Sequence, residues 1–491
     1  MVIPCEPEAP EPEENPDGFP ETTSLAGLGG RCFVTEGSFF TFSLSVVRSC
    51  RKAGDVKPFN RREFLGAMAV GAVAVSPLGA QAPAAVAASG PRKVRLGLIG
   101  CGWYGLVDVK AAFRAGGAEV IALCDVDDDM LAKAVAEVEA LQGSKPQPFK
   151  RYADLLAVPG LDAVIIATPP QWHALPFIAA LERGLDIYCE KPLAYDVREG
   201  RAMADAASRS DRVVQIGFQR RQSAAFQAVR QFINAGELGR VVQVDAQIHY
   251  TAGTLSAVPV APPASLDWDL WCGPAPLIPY SPQVGHKNWR LEATTGHGHL
   301  VDWGIHLIDA TRMILGLGAP MTVSASGGLY ELKGKITTPD TMTAHFEFDR
   351  CPVTWRHRLW GSEEFTPETN NGLTIFGEKG TVFVSDNKWT FIPRGKSAER
   401  RVTEVKADTG LLHMAEFLSA VRERRAPSCT TADAHLSTTA VQLAMIALET
   451  GTRLNWVAAA EQVTGNAAAN LLLKREYRAP WKHPYSKVSN A

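Results

Sequence analysis

Apolar residues recur with two different periods along this chain. Between residues 93 and 217, short apolar runs predict strands, and each of the first four is followed by a segment in which apolar residues recur every three or four positions. Strands that alternate with helices of this length are typical of a doubly wound parallel sheet. The strands are predicted at 94–99, 119–124, 163–167, 186–189 and 213–217, and the helices at 103–116, 127–141, 172–183 and 197–207.

The alternation ends after residue 217. Strands then follow one another without helices between them, which favours a meandering antiparallel sheet. One face of that sheet would carry the substrate. The strands are predicted at 241–250, 321–326, 341–348, 353–359, 373–376 and 381–384, with helices at 226–235, 411–424 and 434–450.

The composition narrows the class of protein. The 491 residues allow two or three domains, and a hydrophobic content of 46% is ample for their cores. The net charge of −2 provides no basic field for nucleic acid or an anionic membrane. The nine cysteines are scattered without the spacing of a disulfide framework or a metal site.

The first 88 residues differ from the rest of the chain. Residues 1–57 are acidic and proline-rich at their start and have no usable periodicity, so we expect disorder, or translation that starts further along the chain. Residues 58–88 resemble a twin-arginine export leader, with Arg61 and Arg62 before a short Ala/Gly/Val run. That run is too short to favour a transmembrane helix. The pattern predicts a periplasmic or otherwise exported protein.

Three glycines follow the first predicted strand at G-x-G-x-x-G spacing. Gly100 permits a tight turn, Gly102 lets the backbone approach a pyrophosphate, and Gly105 brings the next helix close to the strand. Asp125 ends the second predicted strand, where a carboxylate would bind ribose hydroxyls and repel a 2′-phosphate. The pattern therefore predicts NAD rather than NADP. The alternative is an ordinary glycine turn with Asp125 as a solvated strand end.

Two further strand ends carry polar motifs. Thr168–His173 follows the third predicted strand, and Glu190–Lys191 follows the fourth. Because ligands of doubly wound sheets bind outside the carboxyl ends of the strands, these residues are candidates for the site. Lys191 would hold a substrate hydroxyl or the alkoxide that forms from it. The alternative is a surface lysine in an ordinary loop.

A histidine-rich segment, TGHGHLVDWGIHLIDATRMILG, supplies a candidate acid/base pair. Asp302 and His306 are four residues apart, so on a helix they share one face. A carboxylate one turn from an imidazole can fix the tautomer of the imidazole and raise its basicity. The alternative is an ion pair on a helix surface.

The motifs GLIGCGWYG, ATPPQWH, CEKPLA and VVQIGFQRR, in this order, resemble the glucose–fructose oxidoreductase, inositol dehydrogenase and MocA (Gfo/Idh/MocA) family. The resemblance implies a Rossmann domain at 92–218, an α+β domain with a large, mostly antiparallel open sheet at 219–456, and a C-terminal tail at 457–491. The resemblance also implies that Lys191 is catalytic and that Asp302 and His306 act with it at the substrate. The implied cofactor-binding residues are Gly100, Gly102, Trp103, Tyr104, Gly105, Asp125, Thr168, Pro169, His173, Glu190, Lys191 and Gln219.

The chain departs from the family's GGGxxxDxGxHxxD motif, because His297 replaces the middle glycine and His299 follows it. These histidines either line the sugar pocket or bind a metal together with His306 and Asp302, and zinc is the less favoured reading because hydride chemistry does not need it. Aromatic faces suit a sugar ring, although core packing or an ion pair is the alternative for each candidate. The candidate substrate residues are Arg220, Tyr250, Trp289, Arg290, His297 and His299.

Three functions fit these patterns. The first is an NAD oxidoreductase that acts on a sugar or cyclitol hydroxyl. The second is a glycosidase that uses transient oxidation and elimination, which would suit an exported enzyme without a pool of free NAD. The third is a sugar-binding module, which would have no need of Lys191, Asp302 and His306 together. An open sheet face also favours a homo-oligomer.

Overall fold

The computed structural model describes residues 92–361, 370–395, 399–406 and 408–485. The predictions for residues 1–57 and for the export leader at 58–88 fall outside the described residues. The described helices are all too short or too polar to span a lipid bilayer.

The first sheet has six parallel strands in the order β3-β2-β1-β4-β5-β6. Its central strands are buried on both faces; Leu96, Leu98 and Ile165 are fully inaccessible to solvent. Continuous apolar burial of this kind explains the unbroken hydrophobic runs. The strands are β1 (Val94–Ile99), β2 (Ala118–Cys124), β3 (Gln147–Phe149), β4 (Ala163–Ile166), β5 (Asp186–Cys189) and β6 (Val214–Ile216).

Helices cross between these strands. The Asp127 carboxylate accepts hydrogen bonds from the amides of Asp129 and Met130 at the start of α2, and Asp196 accepts one from Glu199 at the start of α5. Such caps satisfy amides that have no partner within the helix. The helices are α1 (Trp103–Ala115), α2 (Asp128–Gln142), α3 (Tyr152–Leu155), α4 (Ala174–Glu182) and α5 (Val197–Ser208).

The second sheet has ten strands in the order β14-β13-β12-β11-β7-β10-β9-β8-β15-β16. All neighbours in it are antiparallel except β7 and β10, which are parallel. The strands are β7 (Val241–His249), β8 (Thr322–Gly328), β9 (Thr341–Glu347), β10 (Pro352–Arg358), β11 (Asn371–Gly377), β12 (Gly380–Val384), β13 (Lys388–Pro393), β14 (Arg401–Glu404), β15 (Leu454–Val457) and β16 (Gln462–Val463).

Helices cover one face of this sheet, where Phe346 and Trp355 are fully buried. α9 returns to the first sheet and packs on α1, and the Arg422 guanidinium donates a hydrogen bond to the Gly116 carbonyl. The predicted fold class, a Rossmann parallel sheet followed by an α+β domain with a mostly antiparallel sheet, is confirmed. The helices are α6 (Ala224–Asn234), α7 (Trp268–Cys272), α8 (Ile305–Leu315), α9 (Thr409–Glu423), α10 (Thr431–Thr450) and α11 (Ala467–Leu471).

Candidate active site

A cavity of about 480 Å³ lies at the carboxyl ends of β1, β2 and β4. This is the edge of a doubly wound sheet at which nucleotides bind. Several of the predicted cofactor residues line it together: Gly100, Gly102, Trp103, Tyr104, Asp125, Thr168 and Pro169.

The glycine turn has the geometry that a dinucleotide requires. Gly100 has φ +95°, and a Cβ there would lie 2.7 Å from the backbone of Ala167. A Cβ on Gly105 would lie 2.1 Å from the Gly100 carbonyl oxygen, so α1 starts directly against β1. A Cβ on Gly102, by contrast, would meet no protein atom within 4 Å. The backbone at Gly102 is therefore open to a phosphate, in front of the amides that begin α1.

Asp125 lies where a ribose would be bound. Its carboxylate accepts hydrogen bonds from the amides of Cys101, at 2.7 Å, and Asp127, at 3.0 Å. Burial raises the pKa of Asp125, and these two amide bonds oppose the increase. Each carboxylate oxygen has a second lone pair, so the group can still accept ribose hydroxyls. The residues of the cleft thus fit NAD.

A segment after β7 closes the cleft from the other side. Residue 127 forms a β-bridge with Leu266, and the His286 imidazole lies 3.3 Å from the Asp127 carboxylate. The Lys287 ammonium lies 5.0 Å from the centre of the Trp103 ring. Much of the remaining cavity wall comes from loops that no predicted motif marks: Lys150, Arg151, Tyr152, His286, Lys287 and Trp481. Trp172, which also lines the cavity, belongs to the predicted strand-end motif Thr168–His173.

Lys191 follows the end of β5, and its side chain contacts Asp302 of the second domain. Its ammonium donates hydrogen bonds to the Asp302 carbonyl, at 2.7 Å, and to the Asp302 carboxylate, at 2.8 Å. The other carboxylate oxygen lies 3.2 Å from Nε of Arg290, which lines the cavity. Burial favours the neutral acid, but Lys191 and Arg290 outweigh it and lower the pKa of Asp302. The cluster is therefore a fixed carboxylate that holds two cations beside the cofactor cleft.

The prediction that Asp302 orients His306 is wrong. The Asp302 carboxylate bonds Lys191 and Arg290 instead, and Nδ1 of His306 is buried without a hydrogen-bond partner. Asp302 lies in a π-helical turn over Leu300–Gly304 that precedes α8, and its carboxylate is taken up by the two cations that reach it from other segments. Burial, followed by the charges of Lys191 and Arg220, lowers the pKa of His306 well below its ordinary value. The imidazole is therefore neutral at pH 7.

Three predicted cofactor residues lie behind the cleft instead of in its wall. His173 is fully buried, and its two ring nitrogens bond the carbonyls of Pro192 and Thr168, each at 2.8 Å. Glu190 is buried, and its carboxylate accepts a hydrogen bond of 2.9 Å from Gln219. The family resemblance implied that these side chains bind the cofactor directly. Their contacts show that they hold the strand-end loops in place.

Among the candidate substrate residues, Trp289 and Arg290 line the cavity. Arg220 is not free to bind a ligand with its whole guanidinium, because two of its nitrogens bond the Asp386 carboxylate at 2.7 and 2.8 Å. Nη1 of Arg220 is nevertheless buried without a partner. Tyr250 packs against the ring of His299, with the ring centres 4.8 Å apart.

The two extra histidines do not line the cavity. The His297 ring stacks on Tyr195 at 4.1 Å and bonds the Tyr195 carbonyl, and His299 is 2% exposed between Tyr250 and His357. Their proposed roles as cavity lining or as a metal site with His306 and Asp302 are therefore not supported. In the described part of the chain, one group of three acids and histidines comes within ligand distance, Asp196, Glu199 and His483.

Relatives of this chain match it over part of their length. Inositol 2-dehydrogenase 3 of Saccharopolyspora erythraea is 34% identical over 148 residues, which are 30% of this chain and 42% of that protein. A glycosyl hydrolase family 109 protein of Stenotrophomonas maltophilia is 42% identical over 136 residues, 26% of this chain and 29% of that protein. The chain thus spans less than half of these relatives.

Solved structures and family models match a larger share of the chain than these relatives do. A levoglucosan dehydrogenase in complex with NADH and levoglucosan superposes with a TM-score of 0.60 at 19% identity, over 74% of this chain and 99% of that one. Two family profiles match: residues 94–218 match the oxidoreductase family's NAD-binding Rossmann fold, and residues 227–483 match that family's C-terminal alpha/beta domain. Together they cover the described chain almost from end to end, and the chain therefore belongs to the Gfo/Idh/MocA oxidoreductase family.

Proposed function

We propose that this protein is an NAD-dependent oxidoreductase that transfers a hydride between the CH–OH group of a sugar or cyclitol and a tightly held nicotinamide. One observation carries the proposal: Lys191 and Arg290 are fixed on Asp302 beside the cavity that fits NAD. The relatives named above include an inositol dehydrogenase, and a protein of similar fold binds levoglucosan. Both support a polyhydroxylated ring as the substrate.

The residues divide the chemistry between them. When bound, NAD supplies the hydride acceptor. Lys191 donates a hydrogen bond to the substrate oxygen and stabilises the negative charge that develops there. His306 is neutral and accepts the hydroxyl proton, because a buried imidazole between two cations favours its uncharged form. Asp302 orients the Lys191 ammonium and not the imidazole.

Activity should persist at acidic pH. The His306 pKa lies well below the ordinary value of 6.5, so the imidazole stays unprotonated as the pH falls through 6.5. We expect kcat/KM to be nearly constant between pH 7.5 and 6.5, with the acid limb below that range. The measurement is kcat/KM against pH for the unaltered protein and for His306→Asn, which should lose that limb. An acid limb centred at pH 6.5 or above in the unaltered protein would contradict the role given to His306.

Glycoside cleavage with no net redox change is the second candidate, and the 42% identity to a glycosyl hydrolase family 109 protein favours it. In this version oxidation acidifies a neighbouring C–H, which a base must deprotonate. Burial raises the pKa of Tyr250 above the ordinary value of a phenol, so its hydroxyl stays protonated near neutral pH and cannot accept the proton. His306 is the better candidate. Release of the chromophore from a nitrophenyl glycoside without accumulation of NADH would distinguish cleavage from dehydrogenation.

We also propose that the protein is exported by the twin-arginine route. The support is Arg61 and Arg62 ahead of a short apolar run and small residues. Fractionation of cells that express the full chain should place it outside the cytoplasm. Replacement of both arginines with lysine should retain it inside.

We also propose that the protein forms a homo-oligomer through the second sheet. The sheet face opposite the helices carries partly or fully exposed polar side chains, among them Gln247, Thr343, Thr354 and Arg356. Scattering or sedimentation of the purified protein would give the number of copies, and charge reversal at Arg356 should lower it.

A further inference from the structure

The last segment of the described chain, residues 472–485, crosses from one domain to the other. Near its start, Arg475 is bound to the first domain: its amide donates to the Asp196 carboxylate at 3.0 Å, and its Nε donates to the Glu199 carboxylate at 2.9 Å. His483 returns to the same Asp196 carboxylate, at 3.0 Å. Both acids are buried at the start of α5. The segment, called the C-terminal strap below, is therefore held at both ends.

The middle of the C-terminal strap bonds the loop around α7 from the second domain. The Arg478 guanidinium lies 2.6 Å from the Asp269 carboxylate and donates to the Gly273 carbonyl at 3.1 Å. The Arg478 amide donates to the Pro274 carbonyl at 3.0 Å. Residues 270 and 271 of that loop line the cofactor cavity. Arg478 thus ties the strap to one wall of the cleft.

Trp481 is the strap residue that reaches the cavity. Its ring packs edge-to-face on Trp172, with centres 5.7 Å apart, and the Arg478 guanidinium lies 4.7 Å from its centre. The Trp172 ring in turn packs edge-to-face on the Tyr152 ring, with the ring centres 6.0 Å apart. The three rings form one aromatic wall, and each of them lines the cavity.

This wall stands at the adenosine end of the cleft. Tyr152 follows β3, and the Asp125 amide donates to the carbonyl of Phe149, the last residue of β3. The wall is therefore next to the carboxylate that fits the ribose. Arg290, which also lines the cavity, marks the reacting end through its ion pair with Asp302. Flat aromatic faces beside a ribose site suit a purine base.

We propose that the C-terminal strap retains the adenosine half of the dinucleotide and that Trp481 is a cofactor-binding residue. The proposal rests on the proposed function, since the retained ligand is NAD. It adds a specific consequence. Contact with Trp481 slows the release of the cofactor, so the rate of that release depends on a residue far along the chain from the glycine turn.

The test measures release separately from turnover. Protein loaded with NADH is mixed with excess NAD, and nicotinamide fluorescence reports the dissociation rate. We expect Trp481→Ala to increase this rate about tenfold or more, as loss of stacking on a base does, and Trp481→Phe to restore most of the retention. The matched control is Trp360→Ala, a partly exposed indole at the end of the second sheet that bonds Thr341; its rate should not change.

The outcomes separate the two proposals. A dissociation rate for Trp481→Ala within twofold of the unaltered protein, with the same melting temperature, overturns the role of the strap. Failure of the unaltered protein to bind NADH overturns both proposals. Rapid release from Trp481→Ala together with no turnover of sugars or glycosides by the unaltered protein supports the strap and overturns the proposed function.

Discussion

Lys191→Met is expected to lower kcat by about 10³-fold, the loss typical when one charged group that stabilises the transition state is removed. Methionine has a similar length but cannot donate the hydrogen bonds of 2.7 and 2.8 Å to Asp302, nor one to the substrate oxygen. Lys191 is not part of the cavity lining, so the affinity for NAD should change little. Single-turnover reduction of bound NAD by a sugar, with NAD affinity measured by titration, provides the test.

The matched control is Lys110→Met on α1. The Lys110 ammonium forms an exposed ion pair of 2.6 Å with Glu137, away from the cleft, and its loss should leave kcat unchanged. A Lys191→Met variant that turns over within tenfold of the unaltered protein, with NAD bound, would remove the lysine from the chemistry. A variant that fails to bind NAD would instead assign Lys191 to the cofactor site.

The fold was predictable because most of its elements are set by local patterns. The apolar runs that became β1 and β4 are buried on both faces, and the period of α1 follows directly from its buried stripe. The strands β13 and β14 at one end of the second sheet were not predicted, and neither were β3, β15 and β16. β14 is exposed along its whole length, so no apolar pattern distinguishes it from a loop.

The site was predictable only where a motif carries its own geometry. The glycine turn and Asp125 are close in sequence to the strands that position them. Tyr152, His286 and Trp481 come from three distant loops, and nothing in their local sequence indicates that they share a cavity. The predicted partner of Asp302, His306, was wrong for a related reason. The spacing of four residues pairs Asp302 with His306, whereas its actual partners, Lys191 and Arg290, come from other segments of the chain.

Asp309 is the last aspartate of the histidine-rich segment, and its substitution is expected to lower the free energy of unfolding more than any other change proposed for this chain. Its carboxylate accepts hydrogen bonds from Arg221 at 2.5 and 2.7 Å and from Ser437 at 2.6 Å. The side chains of Arg221 and Asp309 are 5% and 2% exposed. Breaking a buried pair leaves one charge without compensation, which costs about 3–5 kcal/mol. Asp433 still lies 2.5 Å from Arg221, so we expect Asp309→Asn to fall near the lower limit.

Urea unfolding of Asp309→Asn should therefore show a free energy of unfolding lower by about 3 kcal/mol, with an unchanged slope. The matched control is Glu378→Gln, which breaks the exposed pair between Glu378 and Arg240 and should not shift the midpoint measurably. Replacing Arg221 with methionine and Asp309 with leucine in one variant should recover part of the loss, because neither partner of the pair is then left as a buried charge without compensation. An Asp309→Asn midpoint equal to that of Glu378→Gln would show that the buried ion pair does not stabilise the fold.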